Sequence, residues 1–258
     1  MRSRSKKRQR RTGIYVLPSL FTSASLFGGF YAIIAAIQGR YETAAIAILM
    51  SSVFDALDGK IARFTHTSSH FGAEYDSLCD LVAFGVAPAI LAFQWALEPF
   101  GRLGWLACFM FVICGALRLA RFNVQRDYVG SSYFKGLPVP GAASLIAATI
   151  LFATELDIGP GTQNILIIAL MYVLSFLMVS TINYLSFKKF ELKKQRPFNV
   201  LVSIILFLIV IAYKPKIMLF LILAAYVVSG PLLSISRHKQ KVSEAKSPLG
   251  DTPQAKKD

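Results

Sequence analysis

Charge is what this sequence has least of. Only 16% of the 258 residues are Asp, Glu, Lys or Arg, against about a quarter in a soluble domain, while 55% are apolar and the mean hydropathy is +0.53. That balance excludes a disordered chain and argues against an ordinary cytosolic enzyme. Cysteine is scarce too. Cys79, Cys108 and Cys114 lie in apolar stretches without CxxC spacing, so no disulfide framework or zinc site is implied and each reads as a small packed residue. The three histidines, His66, His70 and His238, stand in no Ser/His or Cys/His arrangement suited to covalent catalysis. Internal repeats are absent.

What is present is a series of long apolar runs, at about 14–37, 43–63, 74–97, 104–124, 137–154, 163–186, 199–213 and 216–235. They predict an all-α, polytopic membrane helix bundle of about eight transmembrane helices. The first run follows basic residues but is too long for the apolar core of a signal peptide, so it reads as a span. The seventh and eighth are separated only by Lys214-Pro215-Lys216, as in a tight helical hairpin. The domain reading is a basic tail over 1–13, a transmembrane domain over 14–235 and a polar, disordered tail over 236–258.

Positive charge orients the bundle. The net charge is +14, and seven of the basic residues fall within the first eleven positions. No aromatic residue is interleaved there and no nucleic-acid-binding domain follows, so the tail reads as a cytoplasmic anchor beside anionic lipid, not as a nucleic-acid arm. With the N-terminus inside, 24 of the 28 Lys and Arg residues fall in inside segments, and only Arg40, Arg102, Lys214 and Lys216 fall outside. This is the bias of the positive-inside rule, and it predicts that both termini are cytoplasmic. A seven-span arrangement would put one basic tail outside.

Most of the 14 acidic residues lie in loops and tails, but Asp55, Asp58, Glu74, Asp76 and Asp80 fall where the second and third spans join. A carboxylate inside a spanning helix costs roughly 2.5–3.5 kcal/mol on insertion scales, so several at ordered spacing call for cations to offset them. Asp55 and Asp58 are i,i+3 on one helix, and Asp76 and Asp80 are i,i+4 on the next. Antiparallel neighbours around a short turn can bring these faces together. Oxygen donors without His or Cys suit Mg²⁺ or Mn²⁺, and two such ions form a clamp for phosphoryl chemistry. Asp55 precedes Arg63 by eight residues, which sets the site roughly 12 Å below the inner surface. Gly59, Ala62 and Gly72 are small enough to admit a substrate or to serve helix packing. Arg63 could pair with a phosphate, pair with an aspartate, or anchor the helix end.

The stretch Asp55-Ala-Leu-Asp58-Gly59-Lys-Ile-Ala62-Arg63, then eight residues, then Gly72-Ala-Glu-Tyr-Asp76-Ser-Leu-Cys-Asp80 resembles the signature of the CDP-alcohol phosphatidyltransferases, D-x2-D-G-x2-A-R-x8-G-x3-D-x3-D, at all eight fixed positions. The entry Leu17-Pro18-Ser19-Leu20-Phe21-Thr22 is similar to the family's first span. The segments 77–88, 115–123 (GALRLARFN) and 134–140 (FKGLPVP) resemble its phosphatidylserine synthase branch, so the resemblance covers about 13–145. It implies transfer of a phosphatidyl group from CDP-diacylglycerol to L-serine, with CMP released, by a homodimer of the cell membrane whose site faces the cytoplasm.

Carried over by position, Asp55, Asp58 and Asp76 would bind two divalent ions, Mg²⁺ or Mn²⁺. Asp80 would complete the metal site and act as general base. Gly59, Ala62 and Gly72 would line the cytidine pocket, Arg63 would stabilise the diphosphate, and Pro18 and Thr22 would lie near the nucleotide. Ser19 and Ser25 depart from the branch, which usually has Asn there. A phospholipase D-type route to the same product needs HxKxxxxD spacing, which the histidines lack.

Serine selection must lie outside the shared signature. A zwitterion needs a cation for its carboxylate, and Arg118, Arg121 and Lys135, with Asn123 as a polar partner, are the candidates; the same residues could equally form the basic inner end of the fourth span. Two other readings stay open. One is a relative using glycerol phosphate, inositol phosphate or choline. The other is a cation transporter, which the lack of acids within the fourth, sixth, seventh and eighth runs argues against.

Overall fold

A computed structural model describes residues 2–65, 70–126, 134–161, 165–184 and 214–246. The described chain is helical apart from one two-residue pairing. Helix α1 spans Arg2–Ile37 and α2 spans Tyr41–Thr65, with Gly39 at positive φ in the turn between them. A composite helix follows: α3 (His70–Asp80), a π-helical turn (Leu81–Val86), α4 (Ala87–Ala92), a second π-helical turn (Phe93–Leu97) and a 3₁₀ turn (Glu98–Phe100). Then come α5 (Arg102–Arg126), β1 (Phe134–Lys135), α6 (Val139–Glu155), α7 (Ile165–Val179), β2 (Asn183–Tyr184) and α8 (Pro215–Lys246).

Among the described residues, four stretches are long and apolar enough to cross a membrane: Ser19–Ile37, His70–Phe100, Arg102–Val124 and Pro215–Leu232. Helix α2 has the length but carries Glu42, Asp55, Asp58, Lys60 and Arg63, so its polarity is that of the site it builds. Helices α6 and α7, at 17 and 15 residues, are shorter than the ~20 that cross a bilayer untilted. The chain is a multi-pass membrane protein, and its outward faces carry large apolar side chains such as Phe27, Phe30, Phe109, Leu166 and Phe176. Among the described residues, helices answer all the predicted runs except 199–213, which lies outside them.

Two boundaries differ from expectation. The run 163–186 is not helical throughout. Helix α7 stops at Val179, and Asn183 and Tyr184 beyond it form β2, which pairs antiparallel with β1, Phe134 opposite Tyr184 and Lys135 opposite Asn183. Helical geometry also begins at Arg2 and continues to Lys246, past the tail boundaries drawn at 13 and 235. Basic, unbranched residues are good helix formers, so the change of charge marks the membrane boundary and the helix ends do not.

The core is the stretch just after Asp80. Ala83, Phe84, Ala87, Leu91 and Ala92 are fully buried, and this segment touches α1, α2, α5 and α6. Small residues make the approach possible. A Cβ on Gly29 would run into Ala83, and one on Gly28 would meet the Ser51 hydroxyl, so α1 lies against both α2 and the π-helical turn. Elsewhere α5 packs on α7, and α6 on α2 and α8.

The two faces of the bundle are tied differently. On one, Lys216 at the start of α8 reaches Glu42 Oε1 at 2.8 Å and Glu155 Oε2 at 3.9 Å, joining the start of α2 and the end of α6. On the other, Leu137 N–H donates to Leu177 O (3.0 Å), Gly136 N–H to Ile182 O (2.8 Å) and Arg121 Nη1 to Val179 O (3.1 Å), joining the ends of α5 and α7 to the start of α6. Helix α7 thus ends on one face, and α8 begins on the other.

Candidate active site

The end of α2 and the start of α3 carry the carboxylates. One carboxylate oxygen from each of Asp55, Asp76 and Asp80 lies within 4.8 Å of the others, and all three residues are half-buried. Asp55 and Asp80 are within hydrogen-bond reach of each other. Like charges this close need a proton or a cation between them. The donor set is oxygen only, and a Mg²⁺ or Mn²⁺ ion with donors at about 2.1 Å holds its ligands roughly 3–4 Å apart. The residues therefore fit a hard divalent ion.

Asp58 is set slightly apart. It is 5% exposed and accepts a hydrogen bond from Thr22 Oγ1 at 2.8 Å, while its charge still acts on Asp55 and Asp76. Helix α1 thereby reaches the acidic cluster through Thr22. The i,i+3 and i,i+4 spacings put each pair on one face, and the fold brings Asp55 of α2 to Asp76 and Asp80 of α3. The π-helical turn begins at Leu81, directly after Asp80. Such turns often accompany functional sites, because the extra residue rotates the helix face beyond them.

Neighbouring side chains hold α3 in register. Ser23 on α1 shares a hydrogen bond with the Tyr75 hydroxyl at 2.9 Å, and Tyr75 stacks with Phe71 at 6.1 Å. Asn123 Nδ2 donates to Glu74 Oε2 (3.2 Å) and to Ser77 Oγ (3.0 Å), tying α5 to the turn of α3 that carries Asp76. Ser23, Tyr75 and Ser77 were not singled out from the sequence for this bracing, and Glu74 was noted only as an acid near the join of two spans; Tyr75 and Ser77 flank the signature position Asp76.

The remaining candidates are placed as follows. Gly59 has nothing within 4 Å of where a Cβ would stand, so space is open beside the carboxylates. Gly72 lies in the first turn of α3. Of Pro18, Ala62, Arg63 and Lys135 only the backbone is described, and Lys135 sits in β1. Ser25 donates to Ser51 O at 3.1 Å and so serves the contact of α1 with α2. Ser19 O accepts from Ser23. Arg118 lies within electrostatic reach of Asp80, with Arg121 and Tyr226 of α8 also close to it. Arg121 spends one nitrogen on the end of α7, and Asn123 spends its amide on α3. Arg118 Nε is buried with no hydrogen-bond partner among the described residues.

A family profile described as CDP-alcohol phosphatidyltransferase matches residues 15–231. The chain belongs to that family. It is 35% identical over 217 residues to the CDP-diacylglycerol–serine O-phosphatidyltransferase of Helicobacter pylori, covering 84% of this chain and 90% of that one. It is 32% identical over 173 residues to the protein of the same name from Bacillus subtilis, covering 67% and 92%. An archaetidylserine synthase of Methanothermobacter thermautotrophicus is 38% identical over 177 residues, covering 67% of this chain and 71% of its own. In this phosphatidyltransferase, as the signature predicts, the acidic residues of α2 and α3 converge.

Proposed function

We propose that this membrane enzyme transfers the phosphatidyl group of CDP-diacylglycerol to the hydroxyl of L-serine, giving phosphatidylserine and CMP. The observation that carries the reading is the convergence of Asp55, Asp76 and Asp80 within a full family signature. The serine acceptor is supported by relatives named for it, at 32–35% identity.

Asp55, Asp58, Asp76 and Asp80 would hold two divalent ions, Mg²⁺ or Mn²⁺. When bound, such ions neutralise the diphosphate and make CMP a better leaving group. Asp80 takes the proton of the serine hydroxyl as its oxygen attacks the phosphorus that bears diacylglycerol. The new bond joins the serine oxygen to that phosphorus. The bond to the bridging oxygen breaks, and CMP leaves with the electron pair. Thr22 holds Asp58 in place while Gly59 leaves room for the nucleotide, which Ala62, Gly72 and Pro18 help to line. Arg63 would stabilise the diphosphate. Arg118 is the foremost candidate for the serine carboxylate, with Arg121, Asn123 and Lys135 behind it.

The same reading sets the site toward the cytoplasm of the cell membrane, in an eight-span homodimer with both termini inside. Helix α7 ends beside Arg121 and α8 starts beside Glu42 and Glu155 on the opposite face. The eight apolar runs of the sequence, 199–213 among them, support the span number.

The test is CMP release by the purified protein in detergent. CDP-diacylglycerol and Mg²⁺ or Mn²⁺ are supplied with L-serine, glycerol 3-phosphate, inositol phosphate or choline in turn. Release with serine, abolished by EDTA and by Asp80→Asn, is the expected result. Release with another acceptor only would end the serine assignment and keep the family chemistry. Release unaffected by EDTA would overturn the metal assignment.

A further inference from the structure

The last helix contributes more than a crossing. Tyr226 of α8 is half-buried, and its ring lies over Gly141 in the first turn of α6, where a Cβ would stand 3.5 Å from Tyr226 Cε1. Tyr226 and Asp80 of α3 both lie within electrostatic reach of Arg118 of α5. Arg118 thus stands near both the carboxylate cluster and α8. Its Nε is buried with no hydrogen-bond partner among the described residues. A buried guanidinium nitrogen left in this state costs free energy that an anionic ligand would recover. The guanidinium fork matches a carboxylate, and a phenol O–H can donate to the same group.

We propose that Tyr226, together with Arg118, forms the pocket wall that receives the acceptor's carboxylate and so makes α8 a determinant of acceptor choice. The inference rests on the serine reading. It assigns Tyr226 a specificity role that the signature residues cannot supply, because the whole family shares them.

The experiment compares L-serine with ethanolamine, which is serine without its carboxylate, as acceptors for the wild-type protein, Tyr226→Phe and Arg118→Met, with melting in detergent as the control for folding. The expected result in Tyr226→Phe is a KM for serine raised about tenfold, the scale of one hydrogen bond to a charged group, and a smaller preference for serine over ethanolamine. The KM for CDP-diacylglycerol stays put. Arg118→Met shows the same loss more strongly. A preference unchanged in Tyr226→Phe, or a rise in both KM values together, would overturn the proposal, and Tyr226→Phe keeps the ring, so it can be read even if Arg118→Met does not fold. If the wild-type protein itself rejects serine, the functional reading fails first and is recognised separately.

Discussion

Replacing Thr22 by valine removes one hydroxyl and keeps the shape of the side chain. Thr22 and Asp58 are each 5% exposed, and a 2.8 Å hydrogen bond joins them across α1 and α2. A hydrogen bond to a charged group contributes about 1.5–3 kcal/mol, and loss of the donor leaves Asp58 Oδ2 buried without it. At 1.4 kcal/mol per factor of ten, the lower end of that range is already about tenfold in an equilibrium constant. Two readouts follow. The Mn²⁺ or Mg²⁺ concentration giving half-maximal CMP release should rise about tenfold, because Asp58 is no longer held toward Asp55 and Asp76. The melting temperature in detergent should fall by several degrees, as about 2–4 °C per kcal/mol applies at this size. Thr22→Ser restores the donor and should recover both. If Thr22→Val matches the wild-type protein in both measurements, the bond does not organise the site and the reasoning fails. A valine variant that Thr22→Ser does not improve on would locate the effect in the methyl group's packing instead.

Other substitutions probe the frame. Gly136 has φ +81°, and a Cβ there would run into Met178 O and lie 3.0 Å from Ser180 O, so Gly136→Ala should destabilise by about 1–3 kcal/mol, read as a lower melting temperature. Gly29→Leu should abolish the approach of α1 to Ala83 and yield little folded protein on detergent size exclusion, whereas Gly59→Ala, with open space around it, should fold normally and lose activity through a raised KM for CDP-diacylglycerol. Lys216→Met should change stability by less than about 1 kcal/mol, because Lys216 and Glu42 are 30% and 50% exposed and such pairs contribute little. A larger loss would mean that the ion pairs joining α2, α6 and α8 carry more of the fold than their exposure implies.

The carboxylates were legible because local geometry is short-ranged. Asp55 and Asp58 share a face for the same reason any i,i+3 pair does, and Asp76 and Asp80 likewise at i,i+4. The cost of placing them within apolar spans marked them as functional before any fold was known. Thr22 could be placed near the nucleotide by resemblance, but its bond to Asp58 spans 36 residues of separation and depends on how α1 crosses α2. Asn123 shows the opposite case. It read as a partner for the acceptor, yet its amide is taken by Glu74 and Ser77, groups that only the packing of α5 on α3 brings to it.

Composition alone determined that this chain lives in a membrane, and the bias of Lys and Arg determined which way it is expected to face. Spacing alone singled out the four aspartates as a candidate metal-binding set, since helix periodicity needs no tertiary information. The last third of the chain was different. Hydropathy there says only that residues are apolar, and apolar residues pack in many ways at similar cost. It took the tertiary structure to stop α7 at Val179, to start α8 beside Glu42 and Glu155, and to set Tyr226 against Arg118. Contacts between helices far apart in sequence are decided by which small residues let backbones approach and which buried polar groups must find one another, and neither is written in the period of a single helix.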